Sequence, residues 1–368
     1  FGMISNDFLA QIENLVSDEN VLKDPDYIVY FIDNMFVVDH KEKKTYFVAN
    51  ALVTDNKKED SYKECNKAIS NYEKTLEEKV PKPKKFKKKN MEVRYDTDND
   101  EFLALMGKLK NNISDGDILY AAPSRLVTLN YNAEPLDVYA GLKENSPKNT
   151  LCFINDGIGV SVSSGSSSFL DIHGSSVEFS IYTSSIQRGI EKGQLDYDKD
   201  NKHGVLLKAR EDEIFFNTML LDDARNRVAK ISEPGTRYLD KMLEVNTLPK
   251  HQYLSSTIKG TLKGNFDALH ALAEIANAAG IPKLKSMQLL SKLEKTKRSL
   301  NYCLLVYLSP DKDLYGMEVM PIRMERNLAY IRSSSRVFNN SNNETELKKS
   351  DSKSNKFLEV IKLAGGMK

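Results

Sequence analysis

The stretch between Tyr253 and Lys283 places the tightest limits on the fold of this 368-residue chain. β-Branched and aromatic residues at positions 253–258 predict a strand, which we expect to end in a turn at Lys259-Gly260. Apolar residues then recur every three to four positions, and this spacing predicts a helix from Asn265 to Ala278. A strand and an amphipathic helix in succession indicate a chain that mixes sheet and helix.

A second turn follows that helix. Gly280 can adopt a positive φ angle, and Pro282 cannot continue a helix with normal hydrogen bonding. A new helix that begins at Lys283 would direct its free N–H groups, and the positive end of its dipole, into the space beside this turn. The turn at 280–283 therefore borders a space suited to a negatively charged group.

Composition excludes several classes of protein. The chain has 53 Lys and Arg against 52 Asp and Glu, so its net charge gives no argument for binding nucleic acid or an anionic membrane. Its three cysteines, Cys65, Cys152 and Cys303, fit no metal spacing and no disulfide framework. The first residues lack a secretory signal, and no window has the ~18 apolar residues of a membrane span. We expect a cytoplasmic protein.

The amino-terminal region reads as short strands and one polar helix. Residues 27–39 and 45–53 predict an antiparallel meander, and residues 61–76 predict a helix. A dense basic run at 81–89 then interrupts the pattern. Such a run can contact nucleic acid or acidic lipid, but a solvated linker is the favoured interpretation because no stacking aromatics lie nearby.

The remaining elements alternate between helices and strands. Helical periodicity is found at 100–113, at 210–231 and from 283 to about 297, and three or four strands are predicted within 128–186. Further strands are predicted at 301–308, 316–322 and 331–338.

Four short segments carry a family resemblance. Residues 116–125 read Gly-Asp-Ile-Leu-Tyr-Ala-Ala-Pro-Ser-Arg, 219–227 read Met-Leu-Leu-Asp-Asp-Ala-Arg-Asn-Arg, 234–238 read Pro-Gly-Thr-Arg-Tyr, and 287–290 read Met-Gln-Leu-Leu. They resemble motifs of the chorismate-utilising enzymes, most closely the large subunit of anthranilate synthase. The family also has a Gly-Thr-Leu-Ser-Gly-Ala-Pro-Lys turn, of which this chain keeps the Gly, Pro and Lys within 276–283.

The resemblance implies a fold and a division of the chain. The expected class is α+β of the anthranilate synthase component I type, with two large antiparallel β-sheets packed face to face and helices outside. The segment Val37-Val38-Asp39-His40 is similar to a Val-Ile-Asp-His segment from the middle of the family's chain. Residues 1–80 are then a remnant of the amino-terminal region, 81–92 a basic linker, and 93–368 a chorismate-binding-type domain.

The resemblance also implies a degenerate site. The family's acid/base Glu falls on Ser167 and its His on Tyr253, and neither replacement titrates near neutral pH as those groups do. A flexible Ser/Gly turn is the simpler interpretation of 163–168. Pro321 replaces an Arg that grips a substrate carboxylate, although Arg323 would face the same side of an unbroken strand. The pocket remnants are Tyr120, Arg188, Asn301, Gly280, Pro282, Lys283, Ser334 and Arg336.

The family's magnesium carboxylates are replaced as well. Their positions are occupied by Phe216, Lys349 and Ser352, which cannot supply the hard oxygen ligands that Mg²⁺ requires. We therefore predict no cofactor. A displaced Mg²⁺ site is the alternative, because Glu213 shares a helix face with Phe216 and Asp351 neighbours Ser352. Other acids in these segments are Asp212 and Glu346.

The resulting hypothesis is an anthranilate synthase component I homologue, of the tryptophan biosynthesis type, that is catalytically impaired or inactive. Its expected partners are a glutamine amidotransferase subunit or an intact homologue, with chorismate or a related small molecule as a candidate ligand. The first alternative is an active enzyme that converts chorismate to anthranilate and pyruvate with Mg²⁺ at a rebuilt site. The second is a binding or scaffold protein that uses the same fold.

Overall fold

The computed structural model describes residues 1–8, 24–53, 58–79, 91–145, 150–165, 169–191, 194–248, 250–275, 279–309, 311 and 313–365. They belong to two compact units. The smaller unit consists of Phe1 and Val29–Lys85, and the larger consists of Gly2–Ile28 and Phe86–Lys368. Of the predicted linker at 81–92, only the last two residues lie within the described part.

The described elements are numbered here in chain order. The strands are β1 (Gly2–Ser5), β2 (Tyr27–Val29), β3 (Asn34–Asp39), β4 (Lys44–Ala49), β5 (Val93–Tyr95), β6 (Tyr120–Ala121), β7 (Ser124–Asn130), β8 (Thr150–Asn155), β9 (Val160–Gly165), β10 (Leu170–His173), β11 (Ser176–Gln187), β12 (Ile190–Glu191), β13 (Gln194–Leu195), β14 (Tyr238–Thr247), β15 (His251–Thr261), β16 (Gly280–Ile281), β17 (Cys303–Leu308), β18 (Leu314–Val319), β19 (Ile322–Glu325), β20 (Leu328–Ser334) and β21 (Val337–Phe338). The helices are α1 (Lys58–Glu77), α2 (Asn99–Ser114), α3 (Pro135–Asn145), α4 (Tyr197–Ala209), α5 (Glu211–Ile231), α6 (Ala268–Ile275), α7 (Lys283–Leu293) and α8 (Asn343–Ala364), with a 3₁₀ turn at Ser299–Asn301.

The smaller unit is a hairpin with a helix beside it. β3 pairs with β4 in antiparallel register, and the Phe47 ring on β4 stacks on Tyr72 of α1 at 5.9 Å between centroids. The predicted meander is therefore partly wrong. Its first strand, β2, is the edge strand of a different sheet, next to β1.

The larger unit is built on two extended antiparallel sheets. One has eight strands in the order β14-β15-β11-β10-β18-β17-β1-β2, and the other has six in the order β5-β7-β20-β19-β9-β8. The outer face of the first sheet packs on α5 and α6, and that of the second packs on α3 and α8. The predicted α+β class with helices outside the sheets is confirmed.

The inner faces of the two sheets meet directly. A Cβ atom at Gly165 on β9 would lie 2.1 Å from the Met317 sulfur on β18, so the glycine leaves room for a side chain of the opposite sheet. The sheets therefore approach closely, as a face-to-face sandwich requires.

Serine hydroxyls fix α8 on the six-stranded sheet. Ser350 Oγ and Ser354 Oγ on α8 lie 2.9 Å and 2.8 Å from Ser333 Oγ on β20. All three side chains are buried. Small side chains at these positions let the helix lie close to the strand.

Long-range pairing explains where predicted boundaries differ. The strand predicted to end at a Lys259-Gly260 turn continues to Thr261, because Lys259 and Gly260 pair with β11. A side chain at position 260 would clash, because a Cβ atom there would lie 2.5 Å from Ser232 Oγ. The strand predicted at 316–322 is broken at Met320-Pro321, where the chain crosses from the eight-stranded to the six-stranded sheet.

The helices that were predicted lie close to their observed positions, whereas α3 and α4 were not predicted. α2 confirms the helix predicted at 100–113, and its start is fixed by a reciprocal capping box between Asp98 and Glu101. α7 ends at Leu293, four residues earlier than predicted. The helix predicted at 265–278 is described as Ala268–Ile275, and residues 276–278 lie outside the described part. None of the helices described here is long and apolar enough to cross a membrane.

Candidate functional site

A small three-stranded sheet brings together three segments that the sequence marked as site remnants. β6 lies in the middle, with β16 on one side and β21 on the other. Tyr120 on β6 pairs with Ile281 and with Phe338, so the 280–283 turn and the end of the 334–338 segment both lie beside it. Tyr120 and Gly280 thus lie on two paired strands, and Arg336 directly precedes the third strand, β21.

Gly280 is required by close packing rather than by its φ angle. A Cβ atom there would lie 2.2 Å from the Ser286 Cβ and 2.8 Å from the Tyr120 carbonyl oxygen. The positive φ of this turn, 56°, belongs to Ala279. The glycine therefore allows the turn to pass between α7 and β6.

Lys283 is directed at a neighbouring helix. Its ammonium group donates to the Ala273 carbonyl of α6 at 3.2 Å. Pro282 precedes α7 at the N-cap position, and the Ser286 hydroxyl donates to the Tyr120 carbonyl at 3.2 Å. These contacts hold the turn in place.

Arg336 joins two acidic side chains from different helices. Its guanidinium donates to both carboxylate oxygens of Glu213 on α5, each at 3.1 Å. On the other side, Nε lies 3.7 Å from Oε2 of Glu346 on α8, and the Arg336 main-chain N–H donates to the same oxygen at 3.3 Å. Lys349 Nζ contacts the other Glu346 oxygen at 2.5 Å.

The Phe216 ring lies under this ion network. The Arg336 guanidinium carbon is 4.7 Å from the centroid of the ring. The same ring packs on Tyr120 at 5.0 Å and on Phe338 at 5.5 Å. We refer to Glu213, Phe216, Arg336, Glu346 and Lys349 as the Arg336 cluster.

Electrostatics in the cluster follow from burial and charge. Burial alone would lower the pKa of Arg336, but the hydrogen bond with Glu213 and the charges of Glu213 and Glu346 outweigh it and raise the pKa. Burial raises the pKa of Tyr120, so its phenol stays neutral. Loss of hydration and the nearby Arg336 charge lower the pKa of Lys353, although this side chain still reaches solvent.

The donor set of this site does not fit Mg²⁺. Phe216 offers a ring, Ser352 is exposed, and Lys349 brings a positive charge. Glu213 and Glu346 do converge, but on a guanidinium that already fills the space between them. Within the described residues, no group of three or more His, Cys, Asp and Glu side chains is placed to hold a metal ion.

Asp351, the second candidate substitute acid, lies in a different environment. Its carboxylate forms an ion pair with Arg125, which also donates to the Asn99 side chain at 2.8 Å. The Arg125 guanidinium lies 4.4 Å from the Tyr95 ring centroid. Asp351 therefore links α8 to β7 rather than joining Glu213.

Arg188 and Asn301 serve local structure. Arg188 forms a three-bond salt bridge with Asp200 on α4, with Nη2 2.6 Å from Oδ2. Asn301 donates to the Pro321 carbonyl at 3.3 Å and to the Tyr330 carbonyl at 2.9 Å. These bonds join the 3₁₀ turn to β20 and to the strand break at Pro321.

Arg323 on β19 has acidic partners within the protein. It is fully buried and forms ion pairs with Asp24 at 3.0 Å and Asp156 at 2.8 Å.

The two other predicted positions lie within the sheets. Tyr253 packs its ring on Tyr182, with 5.5 Å between the ring centroids. Ser334 pairs with Ser124 in the six-stranded sheet.

One predicted residue cannot be placed, and one residue central to the site was not predicted to be so. Ser167 lies outside the described residues. The central position of Arg336 was missed, because sequence reasoning treated it only as a side chain in place of bare backbone. A signal was present: Glu213 precedes Phe216, and Glu346 precedes Lys349, by one helical turn each.

The family comparison assigns the chain to the chorismate-binding class. Residues 1–359 match the family described as chorismate binding enzyme, and the chain belongs to this family. The particular relatives it resembles are anthranilate synthase component 1 proteins. It is 30% identical to that of Buchnera aphidicola subsp. Acyrthosiphon pisum (strain APS) over 99% of this chain and 70% of the relative. It is 29% identical to that of Buchnera aphidicola subsp. Pemphigus spyrothecae over 81% of this chain and 58% of the relative.

Solved structures show the same fold. Anthranilate synthase component I from Streptococcus pneumoniae TIGR4 superposes with a TM-score of 0.83 at 21% identity, covering 97% of this chain and 79% of that one. The menaquinone-specific isochorismate synthase of Escherichia coli superposes with a TM-score of 0.69 at 16% identity, covering 86% and 71%. The chain thus spans only part of the length of the relatives it matches.

Proposed function

We propose that this protein is an anthranilate synthase component I homologue in which the chorismate site is catalytically impaired or inactive. Its remaining role is binding, with a glutamine amidotransferase subunit or an intact homologue as partner. The observation that carries the proposal is the Arg336 cluster, in which the chain's own side chains occupy the position where the family resemblance implies metal and substrate.

The proposed loss of activity is supported first by the missing metal ligands. Phe216 and Lys349 stand where the resemblance implies magnesium carboxylates, and the Phe216 ring supports the Arg336 guanidinium at 4.7 Å. A hydrated Mg²⁺ needs oxygen ligands at near-octahedral positions. A positively charged guanidinium and ammonium repel it instead.

The backbone that would bind a substrate carboxylate is also changed in this chain. The resemblance implies that bare backbone at 334–337 meets this group. In this chain the Arg336 main-chain N–H donates to the Glu346 carboxylate at 3.3 Å. The hydrogen-bond donor that would bind a substrate carboxylate is therefore already bonded to a carboxylate of the protein. A ligand would have to displace Glu346 and leave its charge without this partner.

The groups that the resemblance implies for proton transfer are replaced as well. Tyr253 and Ser167 stand where the resemblance implies His and Glu, and Tyr253 packs its ring on Tyr182. Removing one acid/base or charge-stabilising group reduces rate by roughly 10²-fold or more. With several such groups replaced, little basis for turnover remains in this chain.

The test is an assay of the purified chain with chorismate, Mg²⁺ and an ammonium salt, followed by anthranilate fluorescence. We expect no product above a buffer control. The positive control is the Buchnera aphidicola subsp. Acyrthosiphon pisum component 1 under the same conditions. Steady formation of anthranilate would overturn the proposal in favour of a working lyase with a rebuilt site.

The partner is tested in a separate experiment. Sedimentation of a mixture with a glutamine amidotransferase subunit is expected to show a faster complex than either chain alone. We also propose a cytoplasmic location, which is supported by Cys152 and Cys303 being buried as free thiols. Failure to form any complex with the amidotransferase or with an intact component 1 would refute the binding role.

A further inference from the structure

We infer that the Arg336 guanidinium acts as a built-in cation that joins α5 to α8, so that this place needs no divalent ion, and that its removal creates a cation site from Glu213 and Glu346. The inference concerns binding and stability. It holds or fails independently of whether the protein turns over chorismate.

Burial makes a positive charge necessary between the two acids. The side chains of Glu213 and Glu346 are only 2% and 7% exposed. Two carboxylates largely removed from water repel each other and lose hydration unless cations compensate them. Arg336, itself 20% exposed, contacts both.

Arg336 differs from the other cations in the cluster because it connects the helices. Lys349 contacts Glu346 from the same helix, three residues away. Arg210, which precedes α5, lies 3.6 Å from Glu213 and is half exposed. These two groups add charge to one acid each, whereas the Arg336 contacts run from α5 through the guanidinium to α8.

The geometry also explains why a metal and Arg336 exclude each other. A guanidinium presents its N–H groups in one plane, and here Nη1 and Nη2 face Glu213 while Nε faces Glu346. The same space without the guanidinium would hold a hydrated ion between two carboxylates. Mg²⁺ and Mn²⁺ are commonly bound through one or two carboxylates with several retained waters.

The experiment compares the unaltered chain with Arg336→Ala, using Mn²⁺ as the probe. Mn²⁺ binding is measured by the loss of the free-ion electron paramagnetic resonance signal, and melting temperature by circular dichroism with EDTA, Mg²⁺ or Mn²⁺. For the unaltered chain we expect no binding and no change in melting temperature. For R336A we expect a lower melting temperature in EDTA, one bound Mn²⁺ at least tenfold tighter than in the unaltered chain, and a higher melting temperature with the ion.

Two controls separate the new site from general destabilisation. Arg188→Ala removes another arginine that is paired with a buried carboxylate, but leaves only Asp200, so it is expected to destabilise without gaining Mn²⁺ binding. R336A combined with Glu213→Gln removes one of the two carboxylates and is expected to lose the Mn²⁺ gained by R336A. Arg336→Gln gives the same readout in case R336A does not fold.

Two results would overturn the inference. One is stoichiometric Mn²⁺ binding by the unaltered chain, since the guanidinium would then leave room for the ion. The other is a folded R336A or R336Q that binds no Mn²⁺, since Glu213 and Glu346 would then form no cation site.

Discussion

The guanidinium of Arg336 lies over the ring of Phe216, 4.7 Å from its centroid, and both side chains are largely shielded from water. A desolvated cation–π pair contributes up to about 2 kcal/mol. We therefore expect the two residues to be energetically coupled. Arg336 compensates the negative charges of the two buried acids, and the Phe216 ring provides the surface on which the guanidinium packs.

A double-mutant cycle measures this coupling. Phe216→Leu, Arg336→Met and the double variant are compared by urea denaturation. Arg336→Met alone should be strongly destabilising, by roughly 3–5 kcal/mol, because it leaves Glu213 and Glu346 without their shared partner. We expect a coupling energy of about 0.5–2 kcal/mol between the two changes. A coupling energy indistinguishable from zero would contradict the stacked arrangement.

Adding a single methyl group at Gly280 should destabilise the protein. Gly280→Ala places a Cβ 2.2 Å from the Ser286 Cβ, and we expect a loss of roughly 1–3 kcal/mol in the free energy of unfolding. The matched control is Gly107→Ala on α2, where nothing lies within 4 Å and alanine favours the helix by up to about 1 kcal/mol. Thermal melting of the two variants should move in opposite directions. Equal melting temperatures would mean that the turn does not pack as described.

The Arg188–Asp200 pair should make the protein sensitive to acid. The hydrogen bonds from Arg188 lower the pKa of Asp200 to about 2. A carboxyl whose pKa is lower in the folded state stabilises the fold fully above its unfolded pKa, and this contribution is lost as the pH falls through the folded value. Between pH 5 and pH 2 the unaltered chain should therefore lose roughly 1–2 kcal/mol more than Asp200→Asn does.

Urea denaturation of both proteins across this pH range tests the prediction. Asp200→Asn should start less stable at pH 7 and approach the unaltered chain as the pH falls. Parallel pH profiles would show that Asp200 does not carry the effect.

Thiol reactivity should distinguish the three cysteines. Burial raises the pKa of Cys152 to about 12 and raises that of Cys303 further, so little thiolate forms at either. Cys65 on α1 is partly exposed. We expect one fast reaction with a disulfide reagent at pH 8 in the native protein and three in urea. Cys65→Ser should abolish the fast reaction, and its persistence would place a second cysteine at the surface.

Local sequence patterns predicted α2, α5 and α7 well, but they gave no helix for α3 or α4 and did not locate the strand breaks. α2 begins where Asp98 and Glu101 form a capping box, and both residues are visible in the sequence. The break between β18 and β19 is different, because the chain changes sheets there. Periodicity within 316–322 cannot report that the next pairing partner lies in another sheet.

The candidate site shows a similar limit. The absence of carboxylate metal ligands at Phe216 and Lys349 could be predicted from the residue types alone. The convergence of Glu213 and Glu346 could not, because it depends on how α5 and α8 lie relative to β21. The sequence shows that Glu213 and Glu346 each lie one helical turn before Phe216 or Lys349 and so share a helix face with it. Which cation contacts these two acids depends on tertiary packing.

The serines that join α8 to β20 limit how this helix can change. Ser333, Ser350 and Ser354 fill a buried seam in which a longer side chain has no space. The opposite surface of the helix is open and carries Lys348, Lys356 and Lys362. Substitutions on that exposed surface therefore disturb no packing, while the seam admits only alanine, glycine or cysteine in place of serine. The smallest residues of α8 are thus the ones that hold its register.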